Sequence, residues 1–439
     1  MAENGRKNVF VLGQDEFNEA KLSQVHGSQE CEFHSLLDYY YIHSFADNPM
    51  SQIMDSARQQ LKDFEGSIDG LIWLWDFPGC LMGPVLCEEF GLPTPSPASV
   101  FICENKYLSR VHQEKIIPEC TPRFWGFNPA EENIVERAEL QYPFWVKPVT
   151  GFSGHLGFEI KSDADFRQAL AKIDKKENLF AEPYWYLEQQ IDLPEDMEPA
   201  SEKMFIAEQI ISGKQCTLEG FVFNGEFGFE GIIDSFRYPN RMSFSRYQYP
   251  SRLPAKVQRR MYEKAQKILS YVGYDNAAFN IEFFWDRKKD KIWLLEINTR
   301  ISQSHCDLFK KVDGQLSHKI PLDIALGRRP DLPKRQGDYK LAAKLFLRNF
   351  ENGTVTNVPN EEQIKRLEEE FDATIYITVN EGMKLEDLKW QDSYSYVLAI
   401  VYVGSQSQKE LVDKFDQCVN RLDIEVDDRK VRSKQERII

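Results

Sequence analysis

"FNIEFFWDRKKDKIWLLEINTR", residues 279–300, sets two apolar runs around a charged turn, and the pairing of those runs decides what the chain can be. The pattern reads as a β-hairpin. With its centre at Lys289, Glu282 falls opposite Glu296 and Asn280 opposite Asn298, so that both carboxylates share one face amid Phe, Trp and Leu. Like charges directly across a strand pair destabilise it, and apolar surroundings make that worse. A bound divalent cation removes the conflict. Oxygen donors from Glu282, Glu296 and the Asn298 amide suit Mg²⁺, with Mn²⁺ as a substitute, because such an ion commonly joins one or two carboxylates to substrate phosphates. A register shifted by one residue would instead turn one glutamate to solvent. Arg300 follows two residues beyond Asn298.

Upstream, "VKPVTGFSGHLGFEI" (146–160) sets Lys147 ahead of Gly151, Ser153, Gly154 and Gly157. It is not a Walker loop, in which the lysine follows the glycines. Glycines let backbone N–H groups approach phosphate oxygens, Ser153 adds a hydroxyl donor, and Lys147 adds a point charge. A hairpin loop with a surface lysine fits the same letters. His155 lies within the loop, as a phosphate contact or a solvent-facing side chain. In "FIAEQIISGKQCTLEGFVFNGEFGFEG" (205–231), free backbone groups at Gln209 and Ile211 and the Glu208 carboxylate suit an adenine edge, although a plain sheet edge also accounts for the stretch.

In order along the chain, Lys106 in "CENKYLSR", Lys147 with its glycine loop, the "AEQII" hinge, Glu282, and "LEINTR" with Glu296, Asn298 and Arg300 resemble the ATP-grasp superfamily. The resemblance covers roughly residues 104–330. It implies ATP between two α+β subdomains, with Lys106 and Lys147 on the phosphates and residues 151–157 as a lid. It further implies Glu208, Gln209 and Ile211 at the adenine, Glu282, Glu296 and Asn298 as magnesium ligands, and Arg300 near the reacting carboxylate. Gln215 stands where many members have an acidic ribose contact, which puts ribose binding in doubt. The implied chemistry is activation of a small carboxylic acid as an acyl phosphate for capture by an amine, releasing ADP and phosphate. The layout looks closest to the amino-acid ligase and biotin-carboxylase-like branches. The alternatives are a noncatalytic ATP sensor or interaction module and a subunit of a biotin-dependent carboxylase. "IIDSFRYPNRMSFSRYQYPS" (232–251) suits either a substrate carboxylate held by Arg246 or another arginine, or a loop packed by cation–ring contacts.

The rest of the chain fits this frame. Its 439 residues suggest two to four domains. The start alternates strand and helix ("NVFVL", "DEFNEAKLSQV", "SIDGLIWLWDF", "GPVLCEEFG") without GxGxxG, so we expect a Rossmann-like N-terminal α/β domain over 1–103, lacking a dinucleotide site. An ATP-grasp α+β domain is expected over 104–335. There "AKVQRRMYEKAQKILSYVG" has helical spacing and ends on a glycine suited to a left-handed cap. A small C-terminal α+β domain is expected over 336–439, behind the Gly- and Pro-rich "ALGRRPDLPKRQGD". Against 54 Lys and Arg stand 69 Asp and Glu. The resulting charge of −15 argues against nucleic-acid or anionic-membrane partners and for small molecules, and a homodimer is compatible with it. Eight cysteines without CxxC spacing, a polar N-terminus and the lack of a membrane-length apolar run lead us to expect a reducing cytoplasm.

Overall fold

The computed structural model describes residues 5–150, 156–175, 181–194, 197, 204–239, 243–388 and 394–432. The alternating N-terminal pattern becomes β1 (Lys7–Gln14), α1 (Glu16–Leu22), β2 (Cys31–Asp38), α2 (Tyr39–Ile42), α3 (Met50–Lys62), β3 (Gly70–Trp73), α4 (Gly79–Glu89), α5 (Pro97–Glu104) and α6 (Lys106–Ile116). The three strands form a parallel sheet in the order β2-β1-β3. Several of these helices start where the sequence offers caps. Asp15 accepts from the Asn18 N–H, Ser96 precedes Pro97, and Asn105 accepts from the N–H groups of Tyr107 and Leu108, which places Lys106 at the first turn of α6.

A second unit consists of β4 (Phe124–Phe127), β5 (Phe144–Pro148), β6 (Phe158–Ile160), α7 (Asp163–Lys175), α8 (Ala181–Glu188) and β7 (Phe205–Gln209). Its sheet runs β4-β7-β5-β6. Phe127, Phe144, Val146, Phe166 and Phe205 fill a core between this sheet and α7. Because side chains alternate along a strand, burying Phe144 and Val146 turns Trp145 and Lys147 to the other face.

The third unit brings β8 (Lys214–Phe223), β9 (Glu226–Arg237), β10 (Phe244–Tyr249), α9 (Ala255–Tyr271), β11 (Ala277–Asp286), β12 (Lys291–Asn298), α10 (Cys306–Asp313) and α11 (Lys319–Ala325). The last segment adds β13 (Leu341–Asn349), β14 (Val355–Asn357), α12 (Glu361–Phe371), β15 (Ala373–Ile377), β16 (Tyr396–Ser405), α13 (Gln408–Arg421), β17 (Glu425–Val426) and β18 (Arg429–Lys430). Eight of these strands make one sheet in the order β12-β11-β8-β9-β10-β13-β16-β15, so C-terminal strands extend the central sheet through the antiparallel β10–β13 pair.

This large sheet has two unlike faces. On the back, Cys216, Leu218, Ile281, Phe283 and Ile297 pack with Met261, Ala265, Ile268 and Leu269 of α9. Leu345, Val401 and Val403 pack with Leu411 and Phe415 of α13. α9 ends as its sequence suggests, with Gly273 at φ +69° and the Tyr274 N–H donating to Leu269 O. The front carries the polar residues that alternate with these. All eight cysteines are buried and unpaired. Among the described residues no helix is long and apolar enough to cross a membrane.

Candidate active site

The hairpin pairs in the expected register: Asn280 faces Asn298 and Glu282 faces Glu296. Immediately past that pair the register slips, because Phe283 faces Leu294 and leaves Leu295 as the extra residue of a bulge. The bulge has a use. The freed Leu295 carbonyl accepts Nη2 of Arg110 at 2.6 Å, which ties α6 to the hairpin.

Burial, and then the charge of Glu296, push Glu282 up from its ordinary 4.5 to about 7. A hydrogen bond from Gln215 Nε2 at 2.8 Å and the charges of Arg300 and Arg237 act in the opposite direction. Asn298 spends its NH₂ on Asn280 Oδ1 at 3.0 Å, and Asn280 in turn donates to Glu219 Oε1 at 2.6 Å. This chain orients the Asn298 amide so that its carbonyl oxygen is the atom open to a cation. Among the described residues no group of three or more His, Cys, Asp or Glu forms a self-sufficient metal cage. Two facing carboxylates and one amide oxygen fit an ion that keeps water and phosphate in its shell.

Arg300 crosses to the N-terminal unit. Its Nε donates to Asp76 Oδ1, just after β3, at 2.6 Å, and its Nη1 donates to the Ile301 carbonyl. Burial disfavours the guanidinium charge, but the carboxylates of Asp76, Glu104 and Glu219 outweigh burial and hold the pKa above its ordinary value. Glu104 accepts from the Thr299 N–H at 2.8 Å and from its hydroxyl at 2.6 Å, fixing the strand end that presents Arg300.

The two lysines occupy different settings. Lys106 Nζ lies 3.9 Å from Glu296 Oε1, beside the carboxylate pair. Lys147 Nζ lies 2.6 Å from Glu208 Oε2, while Arg110 Nε donates to Glu208 Oε1, also at 2.6 Å. Glu208 is 5% exposed. Burial opposes its charge, yet Arg110 and Lys147 together hold it at about 2. Both oxygens of its carboxylate are thus engaged by cations, Oε1 by Arg110 and Oε2 by Lys147. The Gln209 N–H is also taken, by the Arg123 carbonyl at 2.8 Å, so the free groups expected there reduce to its carbonyl side and Ile211. Gln215 bridges Glu282 and Arg237, whose Nη2 donates to Gln215 Oε1 at 2.7 Å. Gly157 directly precedes β6, whereas Gly151, Ser153, Gly154 and His155 lie outside the described residues.

Arg246 departs from the substrate reading. Because Tyr247 pairs with Ser235 and Ser235 with Gln215, the front face at β10 belongs to Tyr247, and Arg246 points to the back, away from Glu282 and Glu296. Its guanidinium lies 4.0 Å from the centroid of the Phe236 ring, the cation–ring alternative. Several site residues went unnoticed in the sequence: Arg110, Asp76, Glu104, and Glu219 with its partner His305, whose Nδ1 lies 2.6 Å from Glu219 Oε1. Glu219 left a trace, an acid inside the apolar run "CTLEGFV", where an unpaired charge would be costly. Arg110 also left one, a single helical turn beyond Lys106.

Residues 140–307 match a family model described as an ATP-grasp domain. Over 311 residues, 68% of the chain, the sequence is 26% identical to urea amidolyase of Saccharomyces cerevisiae, and that stretch spans only 15% of the relative's length. The fold is similar to that of an L-amino acid ligase from Bacillus licheniformis, with a TM-score of 0.69 at 16% identity, covering 96% of this chain and 99% of that one. It is likewise similar to a carboxyaminoimidazole ribonucleotide synthase from Aspergillus clavatus, complexed with ATP, with a TM-score of 0.63 at 14% identity, covering 95% and 99%. Over residues 140–307, then, the chain carries an ATP-grasp domain.

Proposed function

We propose that this protein is an ATP-dependent carboxylate–amine ligase that releases ADP and phosphate. The observation that carries the reading is the facing of Glu282 and Glu296 across β11–β12, with Asn298 beside them and Arg300 two residues beyond. Mg²⁺, or Mn²⁺ in its place, supplies the positive charge that this pair lacks. We assign Glu282, Glu296 and Asn298 to the ion, Lys106 and Lys147 to the phosphates, and the Gln209 carbonyl with the Ile211 N–H to the adenine edge. Gly151, Ser153, Gly154 and Gly157 remain our proposal for a loop over the phosphates, and Gln215 for the neighbourhood of the ribose. The proposed division of labour runs over 1–103, 104–335 and 336–439, with the substrate cleft where the N-terminal unit meets the large sheet.

The chemistry follows from charge. A carboxylate attacking a triphosphate must overcome repulsion between two anions and be held in line. Arg300, oriented by Asp76, neutralises the acid. Lys106, beside Glu296, bears on the phosphate side. Lys147 sits parked on Glu208 and must shift its hydrogen bond to reach a phosphate, while Arg110 stays behind to keep Glu208 paired. The acid's oxygen forms the bond to the γ-phosphorus as ADP departs. The amine then attacks the acyl carbon, loses its proton and expels phosphate. No protein nucleophile is required.

Incubation with ATP, Mg²⁺ and pooled carboxylic acids and amines tests this directly. ADP and phosphate should appear only when both an acid and an amine are present. AMP and pyrophosphate would sink the acyl-phosphate route, and ATP cleavage that depends on bicarbonate alone would point to a carboxylase instead.

A further inference from the structure

The back face of the large sheet is apolar under α9 and again under α13, but between these two cores it carries Asp234 and Phe236 of β9 and Arg246 and Gln248 of β10. Arg246 is 3% exposed, and among the described residues its Nε and Nη2 have no hydrogen-bond acceptor. A buried guanidinium without an acceptor is among the costliest groups a protein can hold. The neighbours offset its charge but supply no acceptor among the described residues. Asp234 is the nearby carboxylate acting on it, and both Asp234 oxygens are engaged, one by the Ser251 hydroxyl at 2.6 Å and the other by the Arg252 N–H at 2.7 Å. Burial, reinforced by the positive charge of Arg252, pushes Arg246 down to about 10, against the pull of Asp234.

We propose that this seam binds a small oxyanion, a phosphate or a carboxylate, on the Nε–Nη2 edge of Arg246. Three features select that chemistry. The Phe236 ring covers one face of the guanidinium at 4.0 Å, and the Nε–Nη2 edge presents two parallel N–H groups, the spacing that two oxygens of one anion accept together. Arg252 adds a second positive charge against the single carboxylate of Asp234, so a neutral water would satisfy the hydrogen bonds but leave positive charge in excess. The adjoining amides are unfinished too: Gln248 Nε2 donates to Gln408 Oε1 at 2.8 Å, while Gln408 Nε2 and Gln248 Oε1 are buried without partners among the described residues. The orphaned set is thus three N–H-bearing nitrogens against one oxygen, the balance an anion needs. Because Gln408 opens α13 and Arg246 lies on β10, the bound ion ties the C-terminal helix to the ATP-grasp sheet, on the face opposite the carboxylate pair.

Thermal unfolding of the full chain, near neutral pH and at ionic strength held constant with chloride, tests the site in a phosphate series and an acetate series. Phosphate also suits the lysines of the active site, so Lys147→Ala is included to separate the two locations and keep this inference independent of the ligase reading. Wild type and Lys147→Ala should both gain about 1–3 °C in Tm for each tenfold rise in anion above its Kd. Arg246→Met should not respond. Gln248→Glu, which supplies an internal carboxylate on the same strand face, should start with a higher Tm and also not respond. A response to phosphate alone or to acetate alone tells which oxyanion fits. The proposal is overturned if Arg246→Met keeps the wild-type response, if wild type shows none in either series, or if the response disappears in Lys147→Ala. Should Arg246→Met not fold, a wild-type response in Gln248→Glu overturns it equally.

Discussion

Glu282, half-buried, and Glu208, buried, are glutamates on strands that flank the proposed nucleotide cleft, and their surroundings drive them in opposite directions. Glu282 faces another carboxylate and is pushed up to about 7, whereas Glu208 is clamped by Arg110 and Lys147 and held at about 2. Burial is the largest influence in each case, so the sign of the neighbouring charge decides the outcome. At Glu208 the acid already has a cation on each oxygen. The Glu282 site is incomplete and calls for a cation from outside. A protein tolerates such a conflict where function needs it.

The largest expected effect breaks the Glu208 clamp. Glu208→Gln leaves Arg110 and Lys147 without their shared acid in a buried setting, so it should cost about 3–5 kcal/mol of unfolding free energy, measured by chemical denaturation. A loss below about 1 kcal/mol would show that the clamp is not the tight pair its 2.6 Å contacts describe.

The corresponding change at the incomplete site has the opposite sign in stability. Glu296→Gln relieves the repulsion on Glu282, so the metal-free protein should be more stable by about 0.5–1.5 kcal/mol. The same change should lower ATP-dependent ligation by about 10²–10³-fold, because a ligand to the cation is gone. A variant that is both less stable and fully active would remove Glu296 from the metal site.

How much of this contrast was legible beforehand follows from distance along the chain. The Glu282–Glu296 pairing could be read because a hairpin is local, and its period-2 alternation and short turn leave few registers. The bulge at Leu295 could not, since it answers to Arg110, 185 residues away. The clamp on Glu208 could not be read for the same reason. The hinge motif names the residue, but its partners come from α6 and β5, and nothing in "AEQII" shows that its carboxylate is already taken. Arg246 shows the limit most clearly. The composition of 232–251 marked it as a cation among rings, which it is, but the face it occupies depends on how β10 pairs with β9, including a register shift between Phe244 and Arg246. The continuation of the central sheet into the C-terminal strands is also non-local, because β10 and β13 are separated by α9, β11, β12, α10 and α11.

Titration sharpens the comparison because the two sites tilt stability in opposite directions. Glu208, lowered from 4.5 to about 2, adds stability that is fully present above pH 4.5 and is lost as pH falls toward 2, where the unfolded chain binds more protons. Glu282, raised from 4.5 to about 7, does the reverse. Between those values the folded state holds the extra proton, so stability falls as pH rises from 4.5 to 7. Glu282→Gln should flatten that decline by roughly 1–3 kcal/mol and leave the acid limb unchanged. Denaturant midpoints taken across pH 4 to about 8 without added metal read both limbs. An unchanged decline in Glu282→Gln would mean that another group titrates there.

The smallest effect concerns Gln215, the neutral residue between Glu282 and Arg237. Its Nε2 donates to Glu282, which favours the ionised form, and its Oε1 accepts from Arg237. Gln215→Leu removes both bonds, and one such bond to a charged group is worth about 1.5 kcal/mol, or roughly tenfold in an equilibrium constant. The Glu282 pKa should rise further, so protons should compete better with Mg²⁺. Apparent Mg²⁺ affinity, titrated in the presence of a nonhydrolysable ATP analogue, should weaken by about tenfold at pH values below the Glu282 pKa and return toward wild type well above it. That pH dependence separates two roles for Gln215. A direct contact to the nucleotide would give the same loss at every pH, whereas a residue that keeps Glu282 ionised for the cation gives a loss that vanishes once solvent pH does the work for it.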